Sequence, residues 1–311
     1  MVDFWEYKII ADMKNRKQNK IIKSGFVGII GAPNTGKSTL LNRILGQKIS
    51  ITSKKPHTTR DRIIGIVNRP VSQIIFVDTP GIHKSTNRLN KRIVDQAVLA
   101  LQDVDIILFM VDAAGRNYSA EKLILSQLDK TDKKVVLALN KIDLTKNAQV
   151  YSLVEELRKM FNFKAIVPIS ARKSIQIGNL LEEIESLLPK GPPLFEEETF
   201  TNISEKFMVK EIIREKVFRL TGMEIPYSSA VTVDSFAVGK KLIVIHASIH
   251  MARDSQKGII IGKKGAMLSK IGSRSRKDIE AFTGQKVLLK LFVKVTKNWI
   301  GNEKMLNEFG Y

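Results

Sequence analysis

The 311-residue chain contains no cysteine, only two tryptophans and no long apolar run. Without cysteine it cannot form a disulfide framework, a thiolate zinc site, an iron–sulfur cluster or a cysteine nucleophile. No apolar run approaches the roughly 18 residues that span a bilayer, and Met1–Gly25 mixes acidic and basic residues instead of building a signal-peptide core. We therefore expect a soluble protein of a reducing compartment. Hydrophobic residues still make up 43% of the chain, enough for one large or two medium domains.

Acidic residues are also scarce, since 31 Asp and Glu stand against 51 Lys and Arg and give a formal net charge of +20 at pH 7. The excess is concentrated in one part of the chain: Ser204–Tyr311 carries +10, and Arg253–Lys297 alone carries +9. Charge of that density destabilises a compact fold unless a polyanion neutralises it. The pattern favours a nucleic-acid partner over an anionic membrane surface, and a merely solubilising surface is the alternative.

Short apolar runs alternate with helical stretches between Gly25 and Leu188. Each run is apolar throughout, which is typical of strands covered on both faces by helices. The pattern predicts a doubly wound α/β domain. Its predicted strands are Phe26–Ile30, Ile74–Val77, Ile106–Val111, Val135–Leu139 and Ile166–Ile169.

A break rich in proline and glycine follows at Leu188–Leu194, where neither helix nor strand is expected to persist. Beyond it the pattern predicts a helix over 204–221, strands over 230–238 and 241–251, a helix, a turn, a second helix and a strand over 287–295. This α-β-β-α-α-β order describes a smaller α+β domain. We therefore divide the chain into a basic N-terminal arm (1–23), an α/β domain (24–190), a linker (191–203) and the α+β domain (204–311).

The segment Gly31-Ala-Pro-Asn-Thr-Gly-Lys-Ser38 matches G-x-x-x-x-G-K-[ST] and lies between a predicted strand and a predicted helix. Glycines in such a loop let successive main-chain N–H groups surround phosphate oxygens, and the helix N-terminus adds its positive end. In this motif Lys37 meets the β- and γ-phosphates and Ser38 ligates Mg²⁺. The candidate phosphate-binding residues are Gly31, Asn34, Gly36, Lys37, Ser38 and Thr39.

The sequence Asp78-Thr-Pro-Gly81 follows the predicted strand Ile74–Val77. This places Asp78 at the carboxyl edge of the sheet, where it can hold a Mg²⁺ ion through water while the Gly81 N–H approaches the γ-phosphate. An aspartate after a strand is otherwise often a helix cap.

Two further segments have the groups that read guanine. In Asn140-Lys141-Ile-Asp143, the Asp143 carboxylate can accept from the ring N1–H and the exocyclic amine of guanine, which adenine does not offer in that arrangement. The segment Ser170-Ala171-Arg172, after the last predicted strand, would support the same base with a main-chain N–H.

These four motifs, in this order and spacing, resemble those of translation-factor-related GTPases. The resemblance implies GTP and GDP as ligands, and a first switch at His57–Arg62 in which Thr59, or alternatively Thr58, closes onto Mg²⁺. Ile82 stands where many small GTPases carry a glutamine that orients the attacking water. Because Ile82 cannot polarise water, the chemistry must rely on electrostatics around the phosphates.

The same resemblance makes Asn34 the position at which related GTPases bind a K⁺ ion that acts as an arginine finger would. Its alternative role is that of a turn residue in a tight loop. The candidate catalytic residues are therefore Lys37, Thr59 and Asn34, and the candidate Mg²⁺ ligands are Ser38, Thr59 and Asp78.

The basic domain contains Ile259-Ile-Ile-Gly262-Lys263-Lys264-Gly265 between two predicted helices. This segment and its topology resemble the G-x-x-G loop of a KH domain, of type II by its element order. In such a loop the glycines admit a nucleic-acid backbone, the lysines contact phosphate, and an aliphatic groove holds about four unpaired bases. The candidate RNA-binding residues are Ile259, Gly262, Lys263, Lys264 and Gly265.

A P-loop GTPase domain followed by a KH domain resembles the Era family of bacterial ribosome-assembly GTPases over roughly Ser24–Tyr311. The resemblance implies binding to the 3′ end of small-subunit ribosomal RNA, association with the small ribosomal subunit, a cytoplasmic location with loose association to the inner face of the membrane, and a monomer. Residues 1–23 lie outside the resemblance.

Other interpretations are weaker. A tRNA-modifying GTPase needs a C-terminal cysteine, and a tandem GTPase needs a second P-loop; both are missing from this sequence. An RNA-binding module in which nucleotide is only structural remains open. His246 and His250 have zinc spacing for a helix but lie in a strand pattern, and Trp299 and Phe292 are expected in the core rather than stacked on bases.

Overall fold

The computed structural model describes residues 22–47, 49–50, 63–78, 103–115, 118–129, 131–201, 203–222 and 225–309. Thr58, Thr59, Gly81 and Ile82, and with them the predicted first switch, lie outside the described residues. The described chain divides into two compact units, with residues up to 201 in the first and residues from 203 in the second. Within the described residues no helix has both the length and the apolar character needed to cross a membrane.

The first unit is built on a seven-stranded sheet in the order β2-β3-β1-β4-β5-β6, with β7 paired to β1. The strands β1, β3, β4, β5 and β6 are parallel, while β2 and β7 run antiparallel to their neighbours. The strands are β1 (Ile22–Gly31), β2 (Ile63–Arg69), β3 (Ser72–Asp78), β4 (Ile106–Asp112), β5 (Lys134–Asn140), β6 (Ala165–Pro168) and β7 (Lys190–Gly191). The helices are α1 (Lys37–Leu45), α2 (Ser119–Leu128), α3 (Asn147–Met160) and α4 (Ile177–Leu187).

The apolar runs predicted as strands coincide with β1, β3, β4, β5 and β6. Side chains along β3 and β4 are almost entirely inaccessible, as expected for strands covered on both faces. The hairpin strand β2 was not predicted, because Gly65 interrupts its apolar residues and Asn68 and Arg69 end the run. The doubly wound architecture predicted from the sequence is thereby confirmed.

Residues 190–201, most of which the sequence assigned to a linker, are fixed to the first unit. The side chain of Gln73, which is buried, accepts from the main-chain N–H groups of Leu194 and Phe195 at 2.7 and 2.9 Å. The Phe200 main-chain oxygen accepts from Ile66 at 2.9 Å, and Thr201 Oγ1 donates to the Ile64 oxygen at 2.7 Å. Beyond β7, residues 192–201 have no regular structure, and their hydrogen bonds attach them to β2 and β3.

The second unit begins with α5 (Glu205–Leu220) and has a three-stranded sheet in the order β10-β9-β8. Strand β9 is antiparallel to β8 and parallel to β10. The remaining elements are β8 (Ser229–Val238), β9 (Leu242–Met251), α6 (Asp254–Ile261), α7 (Ala266–Thr283), β10 (Lys286–Val295) and α8 (Glu303–Glu308). This is the predicted α+β order with one additional helix at its end.

The core of the second unit consists of side chains that pack between one face of its sheet and its helices. Ile245, Ala247 and Ile249 of β9 pack in one cluster with Ile213 of α5 and Ile271 of α7. A separate cluster holds the end of the chain, where three buried side chains pack with Ala230 of β8: Trp299, Leu306 and Phe309.

Candidate nucleotide site and nucleic-acid groove

The phosphate loop requires glycine at two positions. Gly31 and Gly36 have φ angles of 156° and 103°. A Cβ atom on Gly36 would lie 2.3 Å from Asn140 Nδ2, and one on Gly31 would lie 2.4 Å from the main-chain oxygen of Met110. Any side chain at either position would displace its neighbours, so the loop conformation depends on both glycines.

Lys37, the first residue of α1, is buried inside this loop. Its Nζ donates to the main-chain oxygens of Gly31 at 3.1 Å and Ala32 at 2.9 Å. Burial lowers the pKa of Lys37 to about 8, against the opposing effect of the Asp78 and Glu121 carboxylates. A buried cation held only by carbonyl oxygens gains from a nearby anion, so the loop fits a polyphosphate.

Ser38 and Asp78 provide the oxygen ligands expected of a Mg²⁺ site. Ser38 Oγ donates to Asp78 Oδ2 at 3.0 Å, and Asp78 is fully buried at the end of β3. A hard divalent cation prefers hydroxyl and carboxylate oxygens of this kind, and the two residues therefore fit Mg²⁺. Ser50 Oγ also donates to Asp78 Oδ2, at 2.9 Å. Sequence reasoning missed Ser50, because an isolated serine outside any motif carries no signal.

Asn140 connects the base-reading segments to the phosphate loop. Its Nδ2 donates to the main-chain oxygen of Thr35 at 2.7 Å, and its Oδ1 accepts from the Ala171 N–H at 2.9 Å. The Ala171 N–H, which was expected to support guanine, is thus directed to Asn140 in this structure. All three residues are buried.

Asp143 lies on a short 3₁₀ turn and is held by the segment after β6. Its Oδ1 accepts from Ser170 Oγ at 2.6 Å. Lys141, with a φ of 68°, turns the chain between β5 and this segment and forms an ion pair with Asp112. The structure therefore brings Asn140, Asp143 and Ser170 together as the sequence pattern predicted, at the edge of the sheet that carries the phosphate loop.

Asn34, the predicted K⁺ position, is exposed and has a φ of 64°. This left-handed conformation is one that asparagine tolerates in tight turns. Thr39 is half-buried in the first turn of α1. Gly81 and Thr59, the other predicted contacts of nucleotide and Mg²⁺, lie outside the described residues.

The loop between α6 and α7 has the backbone that the G-x-x-G interpretation requires. Gly262 and Gly265 have φ angles of 72° and 79°, and Lys264, with a φ of 50°, is also left-handed. A Cβ on Gly262 would lie 2.8 Å from Met267 Cβ, whereas one on Gly265 would meet no atom of the described residues within 4 Å. Lys263 and Lys264 therefore project from a tight turn whose second glycine leaves open space.

A groove of about 470 Å³ begins beside this loop. One wall is α7 and the other is β10, and the lining combines small, aliphatic and basic residues, as a groove for unpaired bases requires. It is lined by Gly265, Leu268, Ser269, Gly272, Ser273, Arg276, Leu289 and Leu291. Ile259, the other predicted RNA contact, is 52% exposed on α6.

The two aromatic residues that the sequence placed in the core, Trp299 and Phe292, differ in their exposure. Trp299 is fully buried, as predicted, but Phe292 is 49% exposed and the prediction that it packs in the core was wrong. It alternates with core-facing residues on β10 and therefore points to the uncovered face of the sheet.

His246 and His250 lie on a strand, and no group of three potential metal-ligating side chains occurs within the described part of the chain.

Comparison with known proteins covers both units. The family described as "50S ribosome-binding GTPase" matches residues 26–141, and the family described as "KH domain" matches residues 224–300. "GTPase Era" of Geotalea daltonii is 50% identical over 289 residues, 93% of this chain and 97% of the relative. "GTPase Era" of Geobacter metallireducens is 50% identical over 291 residues, 93% of this chain and 98% of the relative.

Two crystal structures are similar over both units, each with a TM-score of 0.89 and each covering 93% of this chain and 99% of the other. One is a single-residue variant of Era from Aquifex aeolicus bound to GDP·AlF₄⁻, at 39% identity. The other, at 40% identity, is Era in complex with MgGDPNP and nucleotides 1506–1542 of 16S ribosomal RNA.

Proposed function

This chain belongs to the Era family of GTPases, and from that premise we propose that it acts in assembly of the small ribosomal subunit by binding the 3′ end of 16S ribosomal RNA in the groove between α7 and β10. It binds GTP and hydrolyses it to GDP and phosphate, as a member of this family. The proposal concerns three further points: the RNA that the protein recognises, the ribosomal particle that it joins, and its location in the cell.

The nucleotide chemistry is assigned to residues already described. The N–H groups of the phosphate loop and the Lys37 ammonium stabilise negative charge on the phosphates, and Ser38 and Asp78 hold Mg²⁺. When bound, Mg²⁺ offsets the charge that develops between the β- and γ-phosphates. Asp143 selects guanine, while Asn140 and Ser170 position the loops that carry this selection.

The observation that carries the RNA assignment is the loop of Gly262 and Gly265, both with positive φ, at the mouth of a groove lined by Leu268 and Leu291. Phosphates can approach such a turn closely, and Lys263 and Lys264 are placed to meet them. The net charge of +9 over residues 253–297 supports the same ligand. The 16S RNA bound by the 40% identical relative supports the choice of RNA.

The test replaces Lys263 and Lys264 together by Asp, which leaves the space beside the glycines open. Affinity for an RNA with the sequence of nucleotides 1506–1542 should fall at least about tenfold, and the slope of log affinity against log salt should become shallower by about 1.4 for two contacts. GTP affinity should not change. Replacement of the exposed Lys206 and Lys304 of the same unit by Asp is the matched control. Equal effects of the two double variants would reject the loop as the RNA contact.

The ribosomal particle can be identified by a separate measurement. The description of the matched GTPase family names the 50S particle, which is the large ribosomal subunit. The RNA bound to the 40% identical relative is instead 16S RNA, which belongs to the small subunit. We expect the GTP-bound chain to cosediment with immature 30S particles and not with 50S particles. Cosedimentation with 50S particles alone would overturn the small-subunit assignment.

A K⁺ ion at Asn34 is also part of the proposal. Asn34 is exposed at the turn of the phosphate loop, and the described part of that loop contains no arginine that could supply positive charge beside the phosphates. Turnover should be faster in K⁺ than in Na⁺, and Asn34→Ala should remove the difference. Equal rates in the two salts for the unmutated chain would exclude this ion.

We place the protein in the cytoplasm as a monomer with peripheral association to the inner face of the membrane. The support is electrostatic, since a net charge of +20 favours anionic headgroups. Cosedimentation with phosphatidylglycerol vesicles should occur at low salt and disappear as salt rises. Analytical ultracentrifugation tests whether the protein is a monomer in solution.

A further inference from the structure

Strand β10 presents two different faces. Val287, Leu289, Leu291 and Val293 pack against the core of the second unit. Between them lies a row of five exposed side chains, which we call the outer face of β10: Lys286, Leu288, Lys290, Phe292 and Lys294. Leu288 is 43% exposed and Phe292 is 49% exposed, and the three lysines flank them on either side.

The outer face of β10 and the RNA groove lie on opposite sides of the same strand. Leu289 and Leu291 line the groove, and β10 is an edge strand of the sheet. Because successive side chains on a strand point to opposite faces, Lys290 lies on the far side of the same backbone that forms the wall of the groove. A nucleic-acid strand that leaves the groove across this edge arrives at Lys290 and Phe292.

The ring of Phe292 is oriented by a neighbour on β9. His246 lies edge-on to it, with ring centroids 6.3 Å apart and an interplanar angle of 86°. The final helix and the buried Trp299 pack at Ala230 of β8, in a cluster that contains neither Phe292 nor Leu288. An exposed aromatic ring is a suitable surface for stacking of a base.

Lysines on an edge strand also prevent pairing with other chains, and this purely protective role is the alternative explanation. It gives no reason for Phe292 and Leu288 to be exposed between the lysines. Lys294 is paired with Asp234 at 3.4 Å, but Lys286 and Lys290 have no ion-pair partner among the described residues. They lie about 13 Å apart along the strand, a span of roughly two phosphate intervals, so both can contact alternate phosphates of an extended nucleic acid.

We propose that the outer face of β10 is a second site for single-stranded RNA, at which a base stacks on Phe292 and phosphates contact Lys286 and Lys290. The inference rests on the proposed function, because it needs an RNA strand in the groove to deliver the adjoining nucleotides. A KH groove holds about four bases. The RNA in the related complex, nucleotides 1506–1542, is much longer, so most of it must lie outside such a groove.

The experiment compares two RNAs and two variants in the full chain. Phe292→Ala should weaken binding of the 1506–1542 RNA by about fivefold or more, because base stacking on an aromatic side chain contributes strongly to affinity. Phe292→Trp should retain the affinity. A short oligonucleotide of about four nucleotides, which fills only the groove, should bind Phe292→Ala and the unmutated chain equally. Since Phe292 is half exposed, thermal unfolding should show that both variants fold.

A double variant of the two lysines tests the phosphate contacts. Replacement of Lys286 and Lys290 by Gln should reduce the salt slope for the long RNA by about 1.4 and leave that for the short oligonucleotide unchanged. Lys206 and Lys304 replaced by Gln are the matched control. Ultraviolet crosslinking of the long RNA, followed by mass spectrometry, should identify the peptide that contains Phe292.

The outcomes separate this inference from the proposed function. If the Lys263 and Lys264 variant loses both RNAs while Phe292→Ala binds the long RNA normally, the groove assignment stands and the second site is rejected. If the unmutated chain binds neither RNA, the proposed function itself fails. If Phe292→Ala lowers affinity only for phosphatidylglycerol vesicles, the outer face of β10 is a membrane contact and the RNA inference is overturned.

Discussion

Asn140 Nδ2 donates a hydrogen bond of 2.7 Å to the main-chain oxygen of Thr35. The contact joins two segments more than a hundred residues apart in sequence, one that surrounds phosphate and one that reads the base. Because the other end of the same amide accepts from Ala171, one side chain positions three loops of the nucleotide site. The geometry of the phosphate loop therefore depends on the base-reading segment.

Asn140→Ala removes both hydrogen bonds and leaves the Thr35 oxygen and the Ala171 N–H without this partner in a buried environment. We expect the free energy of unfolding of the first unit to fall by about 2–4 kcal/mol, since each buried group left without a partner costs about 1–3 kcal/mol. GTP affinity should fall as well. Denaturant unfolding measures the first effect, with the exposed Asn147→Ala as control. Equal stability of the two variants would contradict the assigned role of the amide.

Gly36→Ala should abolish nucleotide binding. Its Cβ would lie 2.3 Å from Asn140 Nδ2, at a φ of 103° that a side chain rarely adopts. The matched control is Gly46→Ala, at the end of α1, where φ is 67° and no atom of a described residue lies within 4 Å of the added Cβ. That control should lose only about 1–2 kcal/mol of stability from backbone strain and still bind GTP. Isothermal titration of both variants with GTP is the measurement, and normal binding by Gly36→Ala would show that the loop is not tightly packed.

Asp143→Asn should change the base preference of the nucleotide site from guanine to xanthine. The amide repels the two donors of guanine but can pair with the additional oxygen of xanthine. We expect GTP affinity to fall by about two to three orders of magnitude while xanthosine triphosphate gains, because two buried donors lose their acceptor. Ser170→Ala, which removes the 2.6 Å hydrogen bond to Asp143 Oδ1 and the one that Ser170 Oγ accepts from the Lys173 N–H but keeps the carboxylate, should have a smaller effect and no change of base. Unchanged GTP binding in Asp143→Asn would refute the guanine site.

His250 should make the second unit less stable in mild acid. Burial, followed by the charge of Lys294, lowers the pKa of His250, against the opposing effect of Asp234 and Glu308. The Thr232 hydroxyl donates to Asp234 and thus accepts from His250 Nε2, which leaves Nδ1 to accept from Thr296, as in a neutral imidazole.

The sign of the effect follows from proton uptake. Below the ordinary histidine pKa of about 6.5 the unfolded chain binds a proton that the folded chain does not, so the free energy of unfolding falls as the pH falls. His250→Gln should lose less stability than the unmutated chain between pH 7.5 and pH 5, as measured by denaturant unfolding at each pH. Parallel pH profiles for the two proteins would show that His250 is not the group responsible.

Much of the fold was readable from the sequence, because its signals are local. Apolar runs such as Val135–Leu139 and the alternation within 286–295 reflect which faces of a strand are buried, and that property is written residue by residue. In β2 the apolar run is interrupted by Gly65, and residues 192–201 carry no such signal. Their positions depend on main-chain pairing and on long-range side-chain hydrogen bonds, such as those of Gln73 and Thr201.

The motifs of the nucleotide site and the G-x-x-G loop were determined by the sequence alone, since each chemistry needs particular residue types at fixed spacing within one turn or strand end. The tertiary structure decided what no local pattern contains: that Asn140 bonds to Thr35 and that Ser50 donates to Asp78. The physical reason is that these relationships join residues distant in the chain, and whether a side chain meets solvent or a partner depends on which other elements cover it.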